Sequence, residues 1–184
     1  ASPAAPPPAQ ARGRQPRVNP AAPVPAWVAI GGNQGPVRTT LDAAVEAMGE
    51  LPGTRVLQRS SLYRTPAWGR TDQPDFINGV IALETTLDAP GLLAALLGIE
   101  RRFGRLRDGE AGRWGPRTLD LDLLLHGDQV LELPGLSLPH PRLHERAFVL
   151  VPLAEIAPGL VVPGRGRVDG LLAKVDASGI EAIP

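Results

Sequence analysis

The sequence predicts an α+β fold: a ferredoxin-like βαββαβ antiparallel sheet with helices packed on one face, plus an added hairpin and a C-terminal helical segment. Three observations lead there. Short apolar or alternating runs occur in four places, apolar residues recur at helical spacing in two others, and Gly or Pro punctuates the joins. Read in order, these segments give strand, helix, strand, strand, helix, strand.

Trp27-Val28-Ala29-Ile30 is a buried strand stopped by Gly31-Gly32. Thr39 and Asp42 fit a capping box, and Leu41, Ala44, Val45 and Met48 then form one apolar stripe ending at Gly49. Arg55–Tyr63 and Phe76–Thr85 read as strands, separated by a loop carrying Pro66, Gly69 and Pro74. Asp88-Ala89-Pro90 opens the second helix, with Leu92, Leu96, Ile99 and Phe103 as its stripe and Gly104 as its end. In Leu119-Asp120-Leu121-Asp122-Leu123 the alternation is strict, which places leucines on one face of a strand and carboxylates on the other. Gly127-Asp128 turns the chain into an added strand, Gln129–Leu133. Arg142–Ile156 is helical but contains Pro152, which predicts two short pieces or a kink.

A chain of 184 residues that is 43% hydrophobic fits one domain with its own core. Residues 1–25, with eight prolines and almost no apolar side chain beyond Ala, read as a disordered Pro/Ala-rich linker, and residues 26–184 as the folded domain. The linker has no apolar stretch of a secretory signal, and no apolar run is long enough to span a bilayer, so the expected compartment is cytoplasmic with no membrane partner. Nineteen basic residues balance nineteen acidic ones, which argues against nucleic acid held by bulk charge. Cys is absent, which excludes disulfides, thiolate nucleophiles and thiolate metal sites together. The only lysine is Lys174, so any bound phosphate is held by arginine.

Asp120 and Asp122 stand at i and i+2 and leave the same strand face about 7 Å apart. Adjacent like charges suit a cation between them, and a hard ion such as Mg²⁺ takes one or two carboxylates completed by water and phosphate oxygens. The alternative is a solvated outer strand face. Upstream, Arg105, Arg107, Arg113 and Arg117 fall in or beside a stretch with Gly104, Gly109, Gly112 and Gly115. Planar guanidinium forks match phosphate oxygens two at a time, so the stretch reads as a cationic lid beside the carboxylates. Trp114 lies in that loop without apolar neighbours at regular spacing, which suits covering a bound ring. Phe76 and Asn78 share one strand face, offering stacking and a paired donor and acceptor, while Ile77, Ile81 and Leu83 take the other face. His140 sits between Pro139 and Pro141, a stiffened setting open to a phosphate donor, a proton carrier or a turn residue, and Arg146 and Phe148 follow it.

Taken together, Gly31-Gly32-Asn33, Tyr63-Arg64-Thr65-Pro66, Asp72-Gln73-Pro74-Asp75-Phe76-Ile77-Asn78, Arg113-Trp114-Gly115-Pro116-Arg117-Thr118-Leu119-Asp120-Leu121-Asp122 and Pro139-His140 resemble the 6-hydroxymethyl-7,8-dihydropterin pyrophosphokinases of folate biosynthesis. The resemblance runs from about Trp27 to Pro163. It implies transfer of the β,γ-pyrophosphoryl group of ATP to the pterin's hydroxymethyl oxygen, with release of AMP. It also implies two Mg²⁺ ions held by Asp120 and Asp122. By the same resemblance the pterin stacks between Phe76 and Phe148 and is bonded by Asn78 and by backbone around Thr65, Pro66, Ala67 and Trp68. Arg105, Arg107, Arg113, Arg117, Arg146 and His140 meet the phosphates, and Glu100, Trp114, Leu123 and Ser137 lie on the nucleotide side. Arg105, Arg113 and Arg117 count with the two aspartates as the catalytic set. No side chain is an obvious general base, and a metal-acidified hydroxyl does not need a strong one.

Some positions depart from the family pattern. Gly32 replaces a frequent Ser, a basic residue near Gly135 is missing, Pro141 follows His140, and the Arg107–Arg113 loop is lengthened, with Asp108 and Glu110 offsetting its charge. The resemblance leaves room for a fused or neighbouring folate-pathway domain upstream. Two other readings need different residues. An RNA-binding sheet needs exposed aromatics on its central strands, where this chain has one Tyr and an acidic strand. A non-catalytic nucleotide- or pterin-sensing module needs the ligand site without the carboxylate pair.

Overall fold

A computed structural model describes residues 21–67, 72–103 and 118–184. The order is β1 (Val24–Gly32), α1 (Val37–Gly49), β2 (Thr54–Arg59), β3 (Leu62–Thr65), β4 (Phe76–Thr85), α2 (Ala89–Arg102), β5 (Asp120–His126), a hairpin of β6 (Leu131–Leu133) and β7 (Leu136–Leu138), and a 3₁₀ turn at Leu143–Glu145. Then come α3 (Ala147–Ile156), the short pair β8 (Val161–Val162) and β9 (Gly166–Arg167), α4 (Val168–Leu172) and β10 (Glu181–Ile183). The main sheet runs β10-β3-β4-β1-β5, with β2 also on β4, and its neighbours pair antiparallel. This is the expected βαββαβ arrangement.

The two faces of the sheet carry separate cores. Leu41, Ala44, Val45 and Met48 of α1 and Leu92, Leu96 and Ile99 of α2 pack on Val28, Ile30, Ile81, Leu83, Leu121 and Leu123. On the opposite face Val149, Leu150 and Leu153 of α3, with Val168 and Leu171 of α4, pack on Val80, Leu124 and Leu125. The first two helices therefore share one face as expected, and the C-terminal segment covers the other. A β-bulge opposite the Trp27/Val28 step lets Leu124 and Leu125 both turn to that second core after the strict alternation up to Leu123.

Several local expectations are corrected. Helix α1 starts after Pro36, not at a Thr39 box: the fixed proline φ starts the turn without a side-chain cap, and Asp42 instead takes an ion pair with Arg59. The single strand expected over Arg55–Tyr63 is two strands, broken at Ser60-Ser61. There the buried Ser60 Oγ accepts the Val80 N–H at 2.9 Å, so a side chain fills the ladder position. The added strand begins at Leu131, not Gln129, because the Gln129 N–H is still used in the turn, donating to the His126 carbonyl at 3.2 Å. The second helical region does form two pieces, but they part at Arg146; Pro152 is accommodated inside α3, where it withholds only the N–H that would meet the Phe148 carbonyl. The main sheet also takes in the end of the expected linker, since Val24 and Pro25 pair with Thr85 and Glu84.

Candidate active site

The site is built on the face of the sheet opposite α1 and α2, where strand register lines up small residues between polar ones. Across one row, Asn78 of β4 faces Gly31 of β1, which faces Asp120 of β5; in the next row Ala29 separates Val80 from Asp122. Two strand spacings put Asn78 and Asp120 about 10 Å apart. With Gly and Ala in the middle, the floor sinks into a cleft of about 540 Å³ lined by Thr65, Pro66, Phe76, Asn78, Asp120, Asp122, Arg146 and Phe148. Gly31 is needed there: a Cβ on it would lie 2.5 Å from Asn78 Oδ1. Asn78 Nδ2 donates to Thr65 Oγ1 at 3.1 Å, which holds the amide plane against the cleft. The buried Asn33 donates to Gln73 Oε1 and to the Pro74 carbonyl, each at 3.0 Å, and so ties the end of β1 to the chain entering β4.

The break at Arg146 forms the facing wall. With the residue at its N-cap position extended, α3 places Phe148 over the cleft, and the Arg146 guanidinium lies 5.6 Å from the Phe148 ring centroid. Arg146 Nη1 stands 3.8 Å from Asp122 Oδ2. Burial pulls the Arg146 pKa below the ordinary arginine range, with the Asp122 carboxylate opposing that shift. His140 is pulled down to about 4, first by burial and then by the Arg146 charge, with Asp120 opposing. Its Nδ1 accepts the Arg142 N–H at 3.1 Å, so the neutral ring carries its proton on Nε2. The ring is thus a neutral hydrogen-bond donor at neutral pH; it feels the Asp120 charge but is not itself among the residues lining the cleft.

Two carboxylates with hard oxygen donors, lining a cleft that also holds a cationic side chain, fit an ion that takes its remaining ligands from water and phosphate. Among the described residues there is no cluster of three or more His, Asp or Glu that would hold a metal by itself. The donor set therefore suits Mg²⁺ brought with a polyphosphate better than a closed structural metal.

Not every expected residue faces the cleft. Glu100 is 1% exposed on α2, and its Oε1 accepts the Leu121 N–H at 2.8 Å, which braces β5 between the two aspartates from the dry side. Leu123 belongs to the apolar core, and Ser137 lies on β7 with its hydroxyl donating to Glu132. Ala67 is half-buried next to the lining residue Pro66. Trp68, Arg105, Arg107, Arg113, Trp114 and Arg117 lie outside the described residues.

Comparison with known proteins decides the family. A family model of 7,8-dihydro-6-hydroxymethylpterin-pyrophosphokinase matches residues 27–158. The chain belongs to that pyrophosphokinase family. It is similar to the 2-amino-4-hydroxy-6-hydroxymethyldihydropteridine pyrophosphokinase of Pseudomonas aeruginosa, 48% identical over 158 residues that cover 86% of this chain and 96% of the relative. A relative of the same name from Synechocystis is 47% identical over 156 residues, 84% of this chain and 78% of its own. Among solved structures, Plasmodium falciparum HPPK-DHPS matches with a TM-score of 0.63 at 12% identity, covering 83% of this chain and 41% of that one, a likeness of fold.

The pyrophosphokinase cleft also has lining residues that sequence reasoning missed. Ala29 and Gly31 form its floor, Arg142 and Glu145 pair at its rim with Nε to Oε2 at 2.8 Å, and Val175, Asp176, Ser178 and Ile180 come from the C-terminal tail. The small residues were visible as an alternation on β1, but their effect depends on which strands flank them.

Proposed function

We infer that this chain transfers the β,γ-pyrophosphoryl group of ATP to the hydroxymethyl oxygen of 6-hydroxymethyl-7,8-dihydropterin. The new P–O bond forms as the α,β-phosphoanhydride bond breaks; AMP leaves, the hydroxyl proton passes to solvent, and the pterin diphosphate is the product. The observation that carries this reading is one cleft that joins an aromatic and amide surface, Phe76, Asn78 and Phe148, to a carboxylate pair and a guanidinium, Asp120, Asp122 and Arg146.

In this reading the flat pterin lies between Phe76 and Phe148, and its lactam and amino edge is matched by the Asn78 amide and by the Thr65 to Trp68 backbone. Asp120 and Asp122 would hold two Mg²⁺ ions, which supply charge neutralisation for the triphosphate and acidify the attacking hydroxyl. Arg146 and the Nε2–H of His140 bond phosphate oxygens, and Arg105, Arg107, Arg113 and Arg117 close over them. Trp114 covers the closed site. The work left to protein groups is in-line positioning and exclusion of water. Cytoplasm is the proposed compartment; among the described residues no helix is long and apolar enough to cross a membrane.

Incubation with Mg-ATP and 6-hydroxymethyl-7,8-dihydropterin, followed by chromatography, is expected to show AMP and pterin diphosphate in equal amounts. Release of ADP instead would assign a different transfer.

A further inference from the structure

The tail beyond the family match reaches the cleft. That match ends at residue 158, yet Val175, Asp176, Ser178 and Ile180 line the cavity. We propose that the segment 175–180 is the wall against which the far edge of the pterin rests, and that Val175 and Ile180 determine which ring substituents are admitted. The proposal rests on the reaction inferred above and adds a specificity element to it.

Topology places the segment. In the sheet order β10-β3-β4-β1-β5, the carboxylates stand on β5 and the tail strand β10 is at the opposite end, paired with β3 so that Glu181 faces Arg64 and Ala182 faces Tyr63. A ring stacked over β4 with its hydroxymethyl group toward β5 turns its other edge, the pyrimidine edge, toward β3 and the tail. The turn before β10 reaches the same spot: Gly179, at φ +81°, sits where a Cβ would be 3.4 Å from Pro66 Cγ, and Pro66 follows Thr65 of the Asn78–Thr65 bond.

The segment has a defined shape. Asp176 Oδ1 accepts the Ser178 N–H at 2.9 Å, the Ile180 N–H reaches the Ala177 carbonyl at 3.3 Å, and the Val175 N–H reaches the Leu172 carbonyl at 3.2 Å. Val175 also packs against the second core, so the wall has a fixed base. Two branched apolar side chains beside a ring edge reject added bulk there by contact, and the exposed Asp176 and Ser178 offer polar partners at the rim. A wall at that edge also sets how far the ring slides, and hence the reach of its hydroxyl toward the phosphates.

The test uses the intact chain and steady-state AMP release, with Val175→Ala, Ile180→Ala, the conservative Ile180→Val, and Val161→Ser as a tail control away from the cleft. Truncation to Ala is expected to raise the pterin KM about tenfold, the scale of losing a few methylenes from an apolar pocket, without changing the ATP KM. The parent chain is expected to reject an N2-methylated pterin, and the Ala variants to accept it as a substrate. Ile180→Val recovers most of the selectivity and Val161→Ser behaves as the parent. The proposal is overturned if both Ala variants keep the parent's pterin KM and its rejection of the methylated analogue, or if kcat and melting temperature fall with both KM values unmoved. A parent chain that releases no AMP overturns the reaction reading itself; fluorescence titration of the two pterins into the same variants then reads the wall separately.

Discussion

On the face covered by α1 and α2, Leu121 and Leu123 of β5, with Leu119 just before the strand, join a dry core; from the other face of the strand Asp120 and Asp122 line the cleft. β4 divides in the same way, with Ile77, Ile81 and Leu83 on the dry side and Phe76 and Asn78 on the cleft side. Side chains on one strand thus serve two environments a single residue apart, and Glu100 shows how they are coupled. Its carboxylate is buried on the dry side but bonds the backbone between the aspartates. The dry face fixes where the cleft-lining groups stand, and the cleft face stays open because Gly31 and Ala29 fill so little of it.

The sharpest way to break this comparison is to substitute neighbours on β5. Asp122→Ala is expected to fold and to melt near the parent temperature while turnover drops about a thousandfold, the scale of several kcal/mol of lost charge stabilisation. Leu121→Ala is expected to do the reverse, costing about 2–5 kcal/mol of stability in urea unfolding while the folded fraction keeps its KM values. An Asp122→Ala variant with near-normal AMP release would remove the metal assignment. Next in size, Phe76→Ala is expected to weaken pterin binding by about tenfold to a hundredfold and leave ATP binding unchanged, read by titrating each ligand separately. Equal weakening of both would dismiss the stacking arrangement.

The smallest effect sharpens how α3 is held to the cleft face of the sheet. Glu155 of α3 accepts the Ser61 N–H and hydroxyl, each at 2.6 Å, and burial followed by the Glu155 charge and hydrogen bond raises the Tyr63 pKa above its ordinary value near 10. Above that pH an unfolded tyrosine has lost its proton while the folded one keeps it, so the folded state binds more protons and stability falls as pH rises. This contribution is full below about pH 10 and lost above it. Tyr63→Phe is expected to flatten the alkaline slope of the urea midpoint. An unchanged slope would show that the folded state does not hold the Tyr63 proton more tightly than the unfolded chain does.

How much of this was legible depended on the kind of signal. Helical stripes such as Leu92, Leu96 and Ile99 and the alternation at Leu119–Leu123 were readable because burial on a regular element imposes a period on the sequence. Phe76, Asn78, Asp120 and Asp122 were placed on the correct faces by the same period. The Arg146 break was misplaced to Pro152, because the buried side of α3 tolerates a proline whose missing N–H costs only one bond. The Ser60-Ser61 break was missed because its compensation is a side-chain bond to another strand.

By itself, then, the order of residues determined the element sequence, the face of each side chain on β4 and β5, and the motifs that mark the family, since these are local or periodic properties of a chain. The tertiary structure alone decided that α3 and α4 cover the second face, that Ala29 and Gly31 become a floor, and that a tail over a hundred positions from Thr65 pairs beside it. Those outcomes depend on strand order and register, in which residues remote in sequence come within one strand spacing, and no local pattern encodes that distance.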